Sequence, residues 1–461
     1  MPLANSDFKK IQRIVGKDYC SRKKEDLVCY GYDATGQTCL PEAVVFPGSS
    51  QEISEIFTIA GAADIPVTPR GAGSGLSGGA VCVNGGLVLV MTRFNRMIHI
   101  DGENLTADVE PGVVVGHFHA AVEKKGLFYP PDPASSDFST LGGNLAECAG
   151  GPRAVKYGVT RDYVLGLEAV IPTGEMINTG VRTAKGVVGY DLTRLLVGSE
   201  GTLAVITRMT LRLLPLPESV RTMTAVFDDM ETAAEAVSGI IKHGILPRTI
   251  EYMDQTSIRC VNTYMQSELP VDAGALLLLE VDGMKSDVDA ALGRLTVVCR
   301  NAGAVETRIA GTRTDVSRLW AARKSINPAL FQYAPHKINE DIVVPRNKIP
   351  DMVRKIIALK NKTGLTIASY GHAGDGNIHV NIMLDKRDAT ALKKADAAIE
   401  ELFDYTLAVG GSISGEHGVG TTKSAFIHKE IGPTELMLMK RIKSVFDPKG
   451  ILNPGKMFQG Q

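Results

Sequence analysis

The glycine-rich stretch of residues 71–79 limits the fold of this chain more than any other feature. Residues 73–78 read Gly-Ser-Gly-Leu-Ser-Gly, which matches the G-x-G-x-x-G pattern of dinucleotide-binding folds. Such a fold needs a strand before the loop and a helix after it. Residues 65–68 predict the strand, but residues 80–83 read as another strand and not as a helix. The pattern therefore excludes a Rossmann fold, although successive backbone N–H groups of the loop can still bind an anion.

Two later glycine-rich segments carry three of the nine histidines. Residues 370–381 place His372 and His379 seven apart, and residues 414–418 place Glu416 directly before His417. Two imidazoles and a carboxylate suit a divalent cation, and a further imidazole is a base that titrates near neutral pH. Glycines within the first segment disfavour a helix, so a turn leading into a strand is expected, with Asn381 on the same face as His379.

Composition excludes several classes of protein. The chain has 461 residues, with 50 lysines and arginines against 51 aspartates and glutamates, which argues against a general nucleic-acid or membrane-surface binder. None of the seven cysteines forms a C-x-x-C pair, so an iron–sulfur cluster is not expected. The chain shows neither the apolar core of a signal peptide nor a run long enough to span a membrane. We expect a cytoplasmic protein of two or three domains.

The first half of the chain predicts an α+β region that ends near Pro215 and Pro217. A helix is expected over residues 50–63, with Ser50 as its cap. The turn at residues 172–175 predicts a hairpin. The predicted strands are residues 65–68, 81–83, 87–91, 164–171, 203–207 and 210–214.

Residues 219–310 contain two similar strand–helix–strand units, which indicate a ferredoxin-like antiparallel sheet with helices on one face. Beyond them, residues 315–334 predict a helix capped by Asp315, and residues 348–362 predict an amphipathic helix. Arg323 has the spacing to share a helix face with Trp320 and Leu330, so we expect it to point inward.

The motifs together resemble one known family. The segments that carry the resemblance are residues 69–79, Asp132-Pro133, residues 141–144, Gly158, residues 198–203, residues 371–379, residues 415–418 and residues 446–456. They are similar to the vanillyl-alcohol oxidase / p-cresol methylhydroxylase superfamily. The later segments resemble its D-2-hydroxyacid dehydrogenase branch, which contains glycolate oxidase catalytic subunits, D-lactate dehydrogenases and D-2-hydroxyglutarate dehydrogenase. The resemblance extends from about residue 40 to the end of the chain.

The resemblance implies an α+β fold with a two-subdomain FAD-binding domain over residues 1–217 and a ferredoxin-like substrate (cap) domain over residues 218–410. Residues 411–461 are then expected to pack back on the FAD domain and complete the active site. FAD is expected to bind noncovalently, because no histidine lies in the glycine loop. His117 and His119 are remote candidates for a covalent link. The expected FAD-binding residues are Pro69, Arg70, Gly71, Ala72, Gly73, Ser74, Gly75, Leu76, Gly78, Gly79, Pro133, Ser136, Thr140, Gly142, Gly143, Asn144, Gly150, Gly158, Glu200, Gly201, Val205, Ile206 and Asn453.

The resemblance also assigns roles at the metal and substrate sites. His372, His379 and Glu416 are expected to bind one divalent cation, with zinc as the first choice and iron or manganese as alternatives. His417 is the expected general base. The expected substrate contacts are Arg323, Lys337, Asn327 and Asn381, with Arg323 gripping a carboxylate through two parallel hydrogen bonds.

The implied activity is oxidation of a small D-2-hydroxy acid, D-lactate or glycolate, by an FAD- and metal-dependent dehydrogenase. No extra arginine is evident for a second carboxylate, which disfavours D-2-hydroxyglutarate without excluding it. The expected electron acceptor is a separate protein, either electron-transferring flavoprotein or an iron–sulfur subunit, and any membrane attachment would be made through a partner. A homodimer is compatible with these expectations. The alternatives left open are a noncatalytic flavin-binding subunit and a metallohydrolase without flavin.

Overall fold

The computed structural model describes residues 3–458, in which helices and strands are mixed along the chain. The strands before residue 217 are β1 Cys20–Ser21, β2 Ala43–Val45, β3 Val67–Arg70, β4 Leu87–Val90, β5 Met97–Asp101, β6 Thr106–Val109, β7 Leu127–Phe128, β8 Val164–Val170, β9 Met176–Gly180, β10 Val205–Arg212 and β11 Leu214–Pro215. The helices of this part are α1 Asn5–Val15, α2 Lys24–Tyr30, α3 Ser50–Ala62, α4 Val115–Glu123, α5 Leu141–Glu147, α6 Ala154–Tyr157 and α7 Leu192–Leu196.

The rest of the chain continues with longer elements. Its strands are β12 Ser219–Phe227, β13 Thr249–Asp254, β14 Ala275–Gly283, β15 Glu306–Ile309, β16 His336–Val343, β17 Thr366–His372 and β18 Asn377–Leu384. Its helices are α8 Met230–Lys242, α9 Gln255–Met265, α10 Lys285–Asn301, α11 Arg313–Lys324, α12 Ile326–Ala329, α13 Ile349–Thr363, α14 Ala389–Ala408, α15 Ile427–Glu430 and α16 Pro433–Phe446. Short 3₁₀ helices lie at Lys17–Tyr19, Met91–Arg93, Thr160–Tyr163, Leu330–Gln332 and Arg346–Lys348.

The chain divides into two compact units. The first contains the residues up to 149, residues 159–216 and the residues from 416 onward. The second contains residues 150–158 and residues 217–415. No helix among the described residues is long and apolar enough to cross a membrane.

The first unit contains two main sheets. A four-stranded sheet has the order β1-β2-β4-β3, and a five-stranded antiparallel sheet has the order β5-β6-β10-β8-β9. Helix α3 packs Ile53, Ile56 and Phe57 into the core of the first sheet. This helix is capped by Ser49, whose hydroxyl accepts the Glu52 N–H at 3.2 Å, so the prediction of Ser50 as the cap is wrong.

Two strand predictions in this unit need correction. Residues 81–83 form turns and not a strand, since the Val83 N–H already donates to the Val81 carbonyl at 2.9 Å. The two short strands expected at residues 203–207 and 210–214 are mainly one strand, β10, with register shifts against β8. The predicted hairpin between β8 and β9 is confirmed, with Val170 paired to Met176.

The second unit is built on a seven-stranded sheet with the order β15-β12-β14-β13-β17-β18-β16. Its first four strands have the ferredoxin-like order and are antiparallel throughout, as the sequence predicts. The β17–β18 hairpin and β16 extend the sheet on the β13 side. Helix α11 begins at Arg313 and is capped by Thr312, whose hydroxyl accepts the Asp315 N–H, while the Asp315 carboxylate accepts the Thr312 N–H. The prediction of Asp315 as the cap is therefore wrong.

Candidate active site

The β17–β18 hairpin carries the two histidines of the first motif. His372 ends β17, and His379 is the third residue of β18. Both are buried, and their ring centroids are 5.2 Å apart with nearly perpendicular planes. The turn needs Gly376, which has φ +90° and whose added Cβ would lie 2.0 Å from the Val344 carbonyl oxygen.

Gly376→Ala should therefore lower the free energy of unfolding by about 2–4 kcal/mol, from the left-handed backbone and the clash together. Urea unfolding followed by circular dichroism measures this loss. Gly364→Ala is the matched control, because Gly364 also has a positive φ (+68°) but has open space around it. The control should lose only about 1 kcal/mol, and an equal loss in both variants would contradict the steric argument.

Strand register brings polar residues from four strands to one sheet face. Asp341 of β16 pairs with His379, Asn339 of β16 pairs with Asn381, and Glu251 of β13 pairs with His372. Because side chains alternate along a strand, residues two apart share a face, as expected for His379 and Asn381. The same face packs Met253, Tyr370 and Met383 against α9 and the residues of α11 and α12. The face therefore has an apolar part, which packs against helices, and beside it the polar residues of the candidate site.

Asp341 is fully buried beside His379. Its Oδ1 accepts the Asn377 Nδ2 hydrogen at 2.6 Å and lies 3.5 Å from His379 Nδ1. Its Oδ2 accepts the Gly415 N–H at 3.0 Å. Sequence reasoning did not identify Asp341 as part of the site. The alternation of Lys337, Asn339 and Asp341 in a strand is the pattern that could have identified the polar face.

Glu251 links His372 to Arg323. Its Oε1 is 2.6 Å from His372 Nδ1, and its Oε2 is 2.6 Å from Arg323 Nη2. Burial by itself raises the pKa of the Glu251 carboxyl, but its interactions with His372 and Arg323 outweigh burial and hold the pKa below its usual value. Sequence reasoning missed Glu251, although a charged residue in the middle of a buried strand was an available signal.

The expected substrate contacts lie in the second unit. Arg323 is buried, as expected, with its guanidinium 4.8 Å from the Tyr370 ring centroid, and its Nε has no hydrogen-bond partner within the described residues. Asn381 is fully buried and accepts the Asn339 Nδ2 hydrogen at 2.7 Å. Lys337 donates to the Asn327 side-chain oxygen, and burial lowers the pKa of Lys337 to about 8.

The second motif follows Gly415 directly. Glu416 Oε1 lies 3.9 Å from His417 Nε2, and both residues are partly buried. Imidazole and carboxylate thus occur as a pair in each unit: His379 beside Asp341 in the second unit, and His417 beside Glu416 in the first. His372, another expected ligand, contacts Glu251 within the second unit. Imidazole nitrogens and carboxylate oxygens fit a borderline divalent cation such as zinc, iron or manganese.

The glycine loop lies in the first unit, as do most of the expected FAD-binding residues. Gly73 and Gly78 have φ of +71° and +83°, so the loop takes a path that other residues rarely adopt. Ser139 Oγ and Asn144 Nδ2 are buried without a hydrogen-bond partner among the described residues, which fits a polar ligand at the second glycine cluster. Gly150 and Gly158 bound the short segment that belongs to the second unit.

The C-terminal segment is tied to the glycine loop within the first unit. The Glu200 carboxylate accepts the N–H groups of Val419 and Gly420 at 2.7 and 2.6 Å. The Ser77 carbonyl accepts the Thr421 N–H at 2.8 Å. Asn453 Nδ2 donates to the Gly79 and Glu200 carbonyls at 3.1 and 2.9 Å. Glu200 and Asn453 thus fasten the residues after His417 to the predicted FAD loop.

Comparisons with known proteins agree with this architecture. Residues 41–180 match the model of the FAD binding domain, and residues 216–457 match that of the C-terminal domain of FAD linked oxidases. Glycolate oxidase subunit GlcD of Bacillus subtilis (strain 168) is 44% identical over 430 residues, covering 93% of this chain and 92% of that protein. D-lactate dehydrogenase of Anaerostipes hadrus is 35% identical over 425 residues, covering 90% and 89%. The structure of p-cresol methylhydroxylase with substrate bound covers 98% of this chain and 96% of its own, with a TM-score of 0.82 and 18% identity.

A glycine loop without a following helix, joined in one chain to a ferredoxin-like sheet with a polar face, defines a flavoprotein oxidoreductase of the vanillyl-alcohol oxidase / p-cresol methylhydroxylase fold. The chain belongs to the family of FAD-linked oxidases. The resemblance predicted from its motifs is confirmed, and FAD is its cofactor.

Proposed function

We propose that this enzyme oxidises a small D-2-hydroxy acid, D-lactate or glycolate, to the 2-oxo acid. The observation that carries the proposal is a series of contacts at the face of the seven-stranded sheet. Buried Arg323 contacts Glu251, Glu251 contacts His372, and His379 lies beside both His372 and Asp341. A cation beside a group of possible metal ligands suits a substrate with a carboxylate next to a hydroxyl. The relatives named glycolate oxidase subunit and D-lactate dehydrogenase support the same substrate class.

Each proposed substrate contact has a separate role in binding. Arg323 uses its guanidinium to hold the carboxylate, since its Nε is not engaged by the described part of the protein. Asn381 and Asn327 orient the substrate through their amides. Lys337 supplies a second positive charge below a pH of about 8, where its ammonium is protonated.

The proposed proton acceptor is His417. When bound, FAD supplies the acceptor for the hydride that leaves the substrate Cα. A divalent cation held by His372, His379 and Glu416 would supply a Lewis acid that favours ionisation of the hydroxyl. A ring nitrogen of His417 takes the hydroxyl proton. Gly415, the residue before Glu416, donates its N–H to Asp341 Oδ2 at 3.0 Å.

Anaerobic reduction of the flavin tests the proposal. Purified metal-replete protein is expected to be yellow and to be bleached by D-lactate or glycolate in the absence of oxygen. A panel of enantiomeric pairs of short 2-hydroxy acids identifies the substrate and its handedness. Absence of bleaching by every member of the panel would overturn the proposed function.

A D-2-hydroxyglutarate dehydrogenase is the second candidate, favoured by one observation. Lys337 is a second cation in the strand that also carries Asn339 and Asp341, and it is a possible partner for a second carboxylate. Including D-2-hydroxyglutarate in the panel decides between the candidates. A noncatalytic flavin-binding subunit would instead show no dependence of flavin reduction on His417.

The electrons must leave the reduced flavin for an acceptor. We propose a separate protein, electron-transferring flavoprotein or an iron–sulfur subunit, and the word "subunit" in the name of the Bacillus relative is consistent with assembly. A homodimer and a cytoplasmic location, with membrane attachment only through a partner, complete the proposal.

The pH dependence of substrate capture tests Lys337. Burial lowers its pKa to about 8, so the charge is present below that pH and is lost as the pH rises through it. We expect kcat/KM to fall above a pH of about 8 because KM rises, and Lys337→Gln should remove this fall. Lys386→Gln, at an exposed lysine just beyond β18, is the control. An alkaline fall that persists unchanged in Lys337→Gln would contradict this role.

A further inference from the structure

Glu251 is a fully buried carboxylate that none of the proposed roles uses directly. It lies on β13, opposite His372 in the strand register. Its two oxygens contact different partners, His372 Nδ1 at 2.6 Å and Arg323 Nη2 at 2.6 Å. Burying a carboxylate is costly unless it is paired, and here both oxygens are paired with residues of the proposed site.

We infer that Glu251 is a positioning residue that orients both the metal-site imidazole of His372 and the carboxylate clamp of Arg323. The inference rests on the proposed function. One buried side chain, in a central strand, would then set the relative position of the metal ligand and the substrate-binding arginine. The hydroxyl and carboxylate of a 2-hydroxy acid are attached to adjacent carbons, so the groups that bind them must keep a fixed separation.

The effect on His372 follows from its tautomer. Nδ1 donates its hydrogen to Glu251 Oε1, so Nε2 is the nitrogen that carries the lone pair. A carboxylate behind an imidazole also makes that nitrogen a better ligand and fixes the plane of the ring. His379 has its own carboxylate neighbour in Asp341, so each histidine of the hairpin has one.

The effect on Arg323 is geometric. Glu251 holds Nη2 of the guanidinium, and the Tyr370 ring lies 4.8 Å from its centre, so the planar group has few ways to turn. The Nε hydrogen is left for a ligand, because it has no partner among the described residues. A guanidinium that is already oriented loses less conformational freedom when it binds a carboxylate.

Two substitutions separate the two effects. In Glu251→Gln the side-chain oxygen can still accept from His372, but the amide nitrogen faces the Arg323 donor. We expect metal affinity within about threefold of the parent and a KM raised at least about tenfold, since the buried ion pair with Arg323 is lost. Glu251→Ala removes both contacts, and metal affinity should then also fall about 10- to 100-fold.

The measurement uses the full chain with FAD bound. Metal content after dialysis against graded chelator gives the metal affinity, the flavin spectrum gives FAD content, and steady-state assays give KM and kcat. Glu280→Gln is the matched control, because Glu280 is also buried in this sheet but accepts hydrogen bonds from Thr222 and Trp320. It should leave KM and metal content unchanged.

Parent-like metal affinity in Glu251→Ala together with parent-like KM in Glu251→Gln would overturn the inference. If the alanine variant does not fold, the KM of the glutamine variant decides. Failure of the proposed function is a different result: the parent protein itself would not be bleached by any 2-hydroxy acid, whereas the chelator titration would still report whether Glu251 supports His372.

Discussion

His417→Ala should slow the reduction of the flavin by the hydroxy acid about 10²- to 10⁴-fold, which is the range that a positioned general base contributes. An alcohol is a very weak acid, so the hydroxyl proton needs an acceptor as the hydride leaves. His417 directly follows Glu416, and its Nε2 lies 3.9 Å from that carboxylate. Stopped-flow loss of the oxidised-flavin absorbance under anaerobic conditions measures the rate.

Two further measurements distinguish a base from a ligand. The variant should keep its FAD and its metal, because the proposed ligands His372, His379 and Glu416 remain. His428→Ala is the control, since His428 is exposed in the same C-terminal segment and should leave the rate unchanged. A rate within threefold of the parent would refute the role of His417, and loss of metal together with the rate would make His417 a ligand.

Removal of the metal should slow flavin reduction about as much as His417→Ala does. A Lewis acid at the hydroxyl contributes several kcal/mol, and each ~1.4 kcal/mol is a factor of ten, so chelation should slow flavin reduction about 10²- to 10⁴-fold. His379→Ala should lose metal and rate together. FAD should remain bound in both cases, because the expected FAD loop is formed by residues 71–79 and not by the histidine hairpin.

Reconstitution identifies the cation. Zinc, iron(II) and manganese are added separately to the chelated protein. One of them should restore the rate of flavin reduction when one ion is bound per protein chain. His99→Ala serves as the control for loss of a histidine, because His99 is exposed on β5 of the first unit. Flavin reduction at the parent rate in fully metal-free protein would show that the cluster at Asp341 and His379 serves another purpose.

Local patterns allowed much of this fold to be predicted. The two strand–helix–strand units after residue 217 carry helical and strand periodicities that differ clearly, and the structure has the ferredoxin-like order expected from them. The glycine loop without a following helix correctly excluded a Rossmann fold. Errors arose at caps and short strands: Ser49 and Thr312 cap their helices, and residues 81–83 form turns. Neighbouring polar residues compete for a cap, and only backbone geometry decides between them.

Some residues of the candidate site could likewise be predicted from local patterns, and others could not. His372, His379, Glu416 and His417 were recognisable because they lie in short motifs with close spacing. Glu251 and Asp341 lie in ordinary strands, far along the chain from the histidines they contact. The pairing of β13 with β17 and of β16 with β18 brings them there. Such pairing depends on the register between strands that are distant in sequence, and local sequence patterns do not predict it.

What the sequence alone determined is therefore the chemistry available to this protein: glycines for close approach to a cofactor, imidazoles and a carboxylate for a cation, and an arginine for an acid. What only the tertiary structure decided is which carboxylates support those groups, Glu251 beside His372 and Arg323, and Asp341 beside His379. The physical reason is that motif residues are neighbours along the chain, whereas their supporting carboxylates become neighbours only when separate strands align.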